Sequence, residues 1–318
     1  MRDSGQQRLR DLGEFALIAR IARAARRVPS AGVALGIGDD AALLPARRGE
    51  TWVVSTDARV EGVHFRWGTE APRTVGATAL AAALSDLAAM GARPRGFTWA
   101  LAAPGDLPLL VFDGVLRGLI DGARRYACPL VGGNLTRASE TALVLTVFGG
   151  VAASRALRRR ARLGDRILVT GELGAAALAR ARAEQSGRAL RRIPVPRLAQ
   201  GRALARIRAV TGCIDVSDGL AADLAHLLGP GRRCAIDPAR LPLPRGFAGA
   251  CGRLGRDPTA LALAGGDDYE LLFALRPGGP SAAALARRLG VRVSELGRVE
   301  RGAPPRARGG FDHFATPR

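Results

Sequence analysis

The chain contains no lysine; all 48 of its basic residues are arginine. That absence excludes several chemistries. A P-loop of the form GxxxxGK[ST] needs its lysine on the phosphates, and a protein kinase needs a strand lysine for the same purpose. A lysine Schiff base is excluded as well. Histidine is nearly as scarce, with only His64, His226 and His313. The four cysteines (Cys128, Cys213, Cys234, Cys251) form no CxxC pair, which predicts a reduced, cytoplasmic chain. No run of 18 apolar residues is present, so no membrane partner is expected. Aromatics make up only 4% of the residues, and cores must be built mainly from alanine and leucine. No basic run is interleaved with aromatics and no zinc-finger spacing occurs. The net charge of +20 therefore reads as arginine-rich coding, with no nucleic-acid partner expected. The arginine-rich N-terminus is amphipathic, but Asp3, Asp11 and Glu14 speak against a transit peptide.

What the chain does have is aspartate beside glycine, repeatedly. The motifs are GIGDD (Gly36 to Asp40), STD (Ser55 to Asp57), SDLAAMG (Ser85 to Gly91), DVSDG (Asp215 to Gly219) and GGDDYE (Gly265 to Glu270). Carboxylates packed together repel unless cations sit between them. Hard divalent cations prefer carboxylate oxygens and bridge to phosphates. The pattern predicts a Mg²⁺-dependent nucleotide site assembled from distant segments.

At 318 residues the chain is long enough for two domains. Residues 12–27 read as an amphipathic helix with Phe15, Ile18, Ile21 and Ala22 on one face. A strand over 51–56 is expected to end at Asp57, and an alanine-rich helix over 74–90 to close at Gly91. Strands follow at 96–102 and 142–151, with a helix over 108–126 leading to a glycine loop at 131–134. Composition changes sharply over 152–166, which places a boundary there. Beyond it, a strand at 166–171, an alanine-rich helix, the turn Ile193 to Arg197, a helix near 198–209, a strand-to-helix junction at Asp215 to Gly219 and a strand at 269–275 are expected. Both halves mix helix and strand, which predicts two α/β domains spanning 1–152 and 153–318.

Gly36 to Ala41 formally fits the dinucleotide fingerprint. Two aspartates inside that loop would oppose a pyrophosphate, and the motif precedes a strand instead of following one. Asp39 and Asp40 make sense with metal between them and phosphate. Ser55-Thr56-Asp57 would present oxygens at a strand end, although alone it is an ordinary N-cap signal. Asp86 lies beside the apolar face of an alanine-rich helix, a costly place unless it is paired or metal-bound. Asp215 and Ser217 share one side of a strand end by period-2 geometry, with Asp218 at the turn. Each signal is weak alone; together they point to one chemistry.

On these residues the chain resembles the thiamine-monophosphate kinase family, within the superfamily of aminoimidazole ribonucleotide and selenophosphate synthetases. The motifs that carry the resemblance are GEFALI, GIGDDAALL, STDARVEGVHF, LSDLAAMGARP, GGNLTR, RLGDRILVTG, IPVPR, IDVSDGL, GGDDYELLF and GFDHF, in order from Gly13 to Phe314. The resemblance implies transfer of the γ-phosphoryl group of ATP to thiamine monophosphate. It implies Mg²⁺ ligands at Asp40, Ser55, Thr56, Asp57, Asp86, Asn134, Asp215 and Asp218. It implies ATP contacts at Gly132, Gly133, Arg158 and Ser217, and substrate contacts at His64, Asp267 and Phe311. It also implies an N-terminal mixed-sheet domain that binds ATP and Mg²⁺ and pairs across a homodimer. The C-terminal α/β domain would complete the nucleotide and substrate site.

Three positions depart from the family pattern. Asn134 stands where the family's GGD has a metal-binding aspartate, and Asp267 where glutamate is common. Arg160 stands where glycine is usual, close to Arg158, and would add positive charge near the phosphates. Two other functions stay open on sequence alone: another ATP-dependent enzyme of the superfamily, or a non-catalytic nucleotide-binding protein.

Overall fold

In a computed structural model of the chain, residues 7–30, 32–37 and 41–303 are described. They form two compact units. The first gathers the described residues within Met1–Leu87, Arg93–Ala153 and Gly187–Ile193, and the second those within Ala88–Ala92, Ser154–Ser186 and Pro194–Arg318. Both units mix helix and strand, as expected.

The elements of the first unit are α1 (Leu9–Leu12), α2 (Glu14–Ala25), β1 (Glu50–Val60), α3 (Pro72–Ala89, whose last residues count with the second unit), β2 (Arg93–Ala103), α4 (Leu109–Tyr126), β3 (Leu130–Arg137) and β4 (Ala142–Ala152). The sheet order is β1-β4-β2-β3, with only β2 and β3 parallel. From Phe97 onward in β2 and up to Phe148 in β4 the central strands alternate: Phe97, Trp99 and Leu101 on β2, and Leu143, Leu145 and Val147 on β4, are buried. This is the period-2 pattern of a sheet with one covered face. α3 is alanine- and leucine-rich and buried over most of its length, with Val75, Leu80, Leu84 and Leu87 inaccessible, as befits a helix packed on several sides. Each such leucine contributes on the order of 2 kcal/mol of burial.

The second unit contains β5 (Arg166–Thr170), α5 (Ala175–Ser186), α6 (Leu198–Leu204), β6 (Val210–Asp215), α7 (Leu220–Leu228), β7 (Arg232–Cys234), α8 (Phe247–Arg253), α9 (Pro258–Ala264), β8 (Leu271–Leu275), α10 (Ala282–Leu289) and β9 (Val293–Arg301). Its sheet runs β6-β8-β5-β9-β7 and is antiparallel throughout. β8 is buried along its whole length. Ile167, Ile214 and Leu272 share one core with Leu220, Leu224 and Phe247.

The structure corrects four local expectations. β1 does not end at Asp57; its ladder with β4 continues to Val60 opposite Ala142. Residues 131–134 are not a loop but part of β3, because a parallel ladder to β2 takes up their backbone groups. On α2 the buried residues are Leu17 and Ile21, and Phe15 is 84% exposed. Of the expected face Ile21 is buried and Ile18 and Ala22 are half-buried, so the stripe is shifted toward Leu17 and leaves only Phe15 outside it. α6 stops at Leu204, and the chain turns so that Ile207 is buried ahead of β6.

Candidate active site

In the first unit the register of β1 sorts its polar residues. Ser55 and Asp57 lie two apart on an unbroken ladder and share a face; Thr56 lies between them and faces the other way. Ser55 Oγ donates to Asp86 Oδ2 on α3 at 2.5 Å. The Ser55 side of the strand is thus the side toward α3, and Asp86 has found a partner there instead of solvent. Thr56 Oγ1 instead pairs with Thr146 Oγ1 of β4 at 3.0 Å. Its hydroxyl does not join the Ser55–Asp57–Asp86 group expected for it.

Gly132, Gly133 and Asn134 sit on the opposite edge of the same sheet. Asn134 pairs with Ala100 on β2, which pairs with Val144 on β4, which pairs with Ala58 on β1. Three interstrand spacings of about 4.8 Å put Asn134 about 14 Å across from β1. Within this unit the structure does not bring Asn134 to Ser55, Asp57 and Asp86. Gly133 is required by a close approach, since a Cβ there would lie 2.0 Å from the Trp99 carbonyl oxygen.

His64 is held by its own turn. Its Nδ1 accepts from the Val60 backbone N–H at 3.0 Å, and the Arg59 guanidinium donates to its carbonyl at 3.0 Å. With Nδ1 accepting, the neutral ring carries its proton on Nε2. Asp40 and Phe311, two further expected site residues, lie outside the described residues.

In the second unit the acids gather where β6 ends and β8 begins. Asp215 is the last residue of β6 and is buried. Beyond the ladder the two segments stay zipped together: Tyr269 donates its N–H to Val216 O, and Asp267 its N–H to Ser217 O, each at 2.8 Å. The structure thereby brings together Asp215, Ser217, Asp218 and Asp267. Arg158 joins them along the backbone, its carbonyl accepting from Cys213 N–H at 2.9 Å, two residues before Asp215. Arg160 packs its backbone against Gly212 on the same strand.

Sequence reading missed the residue that shapes this turn. Asp223, in the first turn of α7, accepts from the backbone N–H groups of Ser217, Asp218 and Gly219 at 3.0, 3.1 and 3.2 Å, all on Oδ2. Burial, and then the charges of Asp215 and Asp218, push its carboxyl up to about 7, against the pull of the N–H donors. An acidic residue in the first helical turn after a glycine was the available signal.

The three acids of GGDDYE separate into different tasks. Asp268 accepts from Gly174 and Ala176 N–H at 2.6 and 3.1 Å and caps α5. Glu270 is buried and accepts from Thr170 Oγ1 at 2.7 Å and from Arg197 Nε and Nη2 at 2.6 and 2.5 Å. Only Asp267 keeps an accessible carboxylate, with 28% of its side chain exposed. Arg197, read from sequence as part of a proline turn, is thus an anchor for this segment.

Among the described residues no three His, Cys, Asp or Glu side chains are preassembled as a metal cage. The donor set still fits a hard divalent cation. Mg²⁺ characteristically takes one or two carboxylates and completes its shell with water and substrate phosphate. After burial, the larger cause, the charges of Asp215 and Asp218 also raise Asp223, and a cation between those two would offset that second part.

Residues 38–151 match the family described as AIR synthase related protein, N-terminal domain. Over 308 residues the chain is 36% identical to a thiamine-monophosphate kinase of Synechococcus elongatus, covering 88% of this chain and 91% of that one. The crystal structure of thiamine-monophosphate kinase from Stenotrophomonas maltophilia K279a is similar with a TM-score of 0.78 at 38% identity, covering 92% of this chain and 95% of that one. AaThiL complexed with AMPPCP and TMP is similar with a TM-score of 0.72 at 28% identity, covering 97% and 99%.

Proposed function

The chain belongs to the thiamine-monophosphate kinase family, and from that premise we propose that it transfers the γ-phosphoryl group of ATP to the phosphate of thiamine monophosphate, giving thiamine diphosphate and ADP. The observation that carries this reading is the likeness, over 97% of the chain, to a structure holding AMPPCP, an ATP analogue, together with TMP.

The site chemistry suits that reaction. A phosphate oxygen is already a nucleophile at neutral pH, so no strong base is required, and the missing lysine is no obstacle. Phosphoryl transfer depends on positioning and on neutralising charge in the transition state. When bound, Mg²⁺ would supply that neutralisation. We assign its ligands to Ser55, Asp57 and Asp86 in the first unit and to Asp215 and Asp218 in the second, with Asp40, Thr56 and Asn134 kept from the family pattern. The hydrogen bond from Ser55 to Asp86 supports the first group. The Asp223 brace on the Asp218 turn supports the second.

Gly132, Gly133, Arg158 and Ser217 are assigned to ATP, and His64, Asp267 and Phe311 to thiamine monophosphate. His64 would offer its Nε2–H as a donor. On this reading residues 1–152 form the ATP- and Mg²⁺-binding domain, and residues 153–318 complete the site. We also propose a homodimer formed through the first unit. β1 is an edge strand with Trp52 and Val54 exposed at 41% and 57%, and a long apolar edge is a template for strand pairing.

The test is incubation of the purified protein with ATP, MgCl₂ and thiamine monophosphate, with chromatographic quantification of products. Equal amounts of thiamine diphosphate and ADP, abolished by EDTA, are expected. ADP without thiamine diphosphate, or neither product, would overturn the assignment. Light scattering on the eluted protein reads the dimer directly, and a monomer at all concentrations sinks that part.

A further inference from the structure

Asp267 sits in an unusual backbone conformation. Its φ is +58° and that of Tyr269 is +53°, both in the left-handed region that side chains other than glycine rarely adopt. Such residues persist only where the surroundings hold them. The holding groups are visible. Arg180 on α5 donates through Nη1 to Asp267 Oδ2 at 2.8 Å and through Nη2 to the Gly265 carbonyl at 3.2 Å. One guanidinium thus grips both ends of the turn. Tyr269 Oη donates to the other carboxylate oxygen, Oδ1, at 2.9 Å. Each oxygen of Asp267 is oriented by a different donor, and the backbone beneath it is pinned to Ser217.

Resting on the kinase reading above, we propose that Arg180 and Tyr269 are positioning residues for the aminopyrimidine end of the substrate, acting through Asp267. Neither donor need touch substrate. They set the direction in which the accessible carboxylate presents itself to an exocyclic amine, which is a donor. Aspartate is one methylene shorter than the glutamate common in the family, so its reach depends on where the turn places it. A carboxylate held on both oxygens favours an amine over a carbonyl at the same ring position, because a carbonyl oxygen facing it would leave two acceptors opposed.

The experiment compares the full-length wild type with Arg180→Gln, Arg180→Lys and Tyr269→Phe. Substrates are thiamine monophosphate and its 4-oxo analogue, with KM for ATP measured in parallel. Loss of a hydrogen bond to a charged group predicts a rise of about tenfold in KM for thiamine monophosphate in Arg180→Gln. The KM for ATP and kcat should stay within about twofold. The preference for amine over 4-oxo substrate should shrink, and Arg180→Lys should recover part of it. Tyr269→Phe, which deletes one hydroxyl, should move the same two quantities in the same direction. It serves as the test if Arg180→Gln does not fold. An active wild type with variants unchanged in KM and preference overturns the positioning role. So does an equal rise in both KM values, which would mark a structural role only. A wild type that forms no thiamine diphosphate overturns the kinase reading, and this inference falls with it.

Discussion

Replacing Arg197 by methionine keeps an unbranched apolar stem and removes the guanidinium. The partner left behind is Glu270, a carboxylate 4% exposed whose other contact is the Thr170 hydroxyl at 2.7 Å. Removing one partner of a buried ion pair costs about 3–5 kcal/mol, because the remaining charge is stranded in a poorly solvated place. The Arg197 side chain is itself 24% accessible, so water can reach part of the vacated space. The lower end, about 3 kcal/mol, is the expected loss. At roughly 2–4 °C per kcal/mol for a domain of this size, the thermal midpoint should fall by about 6–12 °C. Far-UV circular dichroism during heating measures it. The double variant Arg197→Met with Glu270→Gln removes the stranded charge while keeping the Thr170 contact, and should regain at least half of the loss. If the single variant costs less than about 1 kcal/mol, or the double is as unstable as the single, the pair does not anchor this segment.

Gly133→Ala should separate β3 from β2, since the new Cβ would lie 2.0 Å from the Trp99 carbonyl oxygen; an unchanged thermal midpoint refutes that close approach. For Asp223 the pH dependence has a definite sign. Its carboxyl titrates near 3.8 when unfolded and at about 7 when folded. Between those values the unfolded chain has released the proton while the folded one retains it, so folding is progressively penalised as pH rises through the window. In Mg²⁺-free buffer, Asp223→Asn should therefore gain on wild type in thermal midpoint between pH 5 and pH 7.5, and a gap independent of pH contradicts the raised value. Asn134→Asp restores a full negative charge and should lower the Mg²⁺ concentration needed for half-maximal rate severalfold; an unchanged requirement removes Asn134 from the metal reading.

Much of the architecture was legible because it rests on local periodicity. The alternation in most of β2 and β4 and the alanine-rich run of α3 are properties of neighbouring residues, and the structure follows them. Where expectation and structure part, a distant partner intervenes. The glycines at 131–134 look like a loop by composition, yet β2 supplies a parallel ladder that makes them a strand. Phe15 shares the apolar face of α2 with Ile21 by helical spacing, yet Ile21 is buried with Leu17 while Phe15 is 84% exposed.

The acids show the same division. Their spacing beside glycine, and the absence of lysine, pointed from sequence alone to phosphate chemistry and underlie the proposal of a cation there, because clustered carboxylates repel phosphate without one. Which acid does what was decided only by the fold. Asp267, Asp268 and Glu270 are near neighbours in the chain, but one meets Arg180 and Tyr269, one caps α5, and one is buried against Arg197. Asp223 reads as an ordinary helix residue until its carboxylate is seen under three backbone N–H groups. A side chain's role depends on its solvation and its partner, and both are set by contacts that sequence neighbours do not supply.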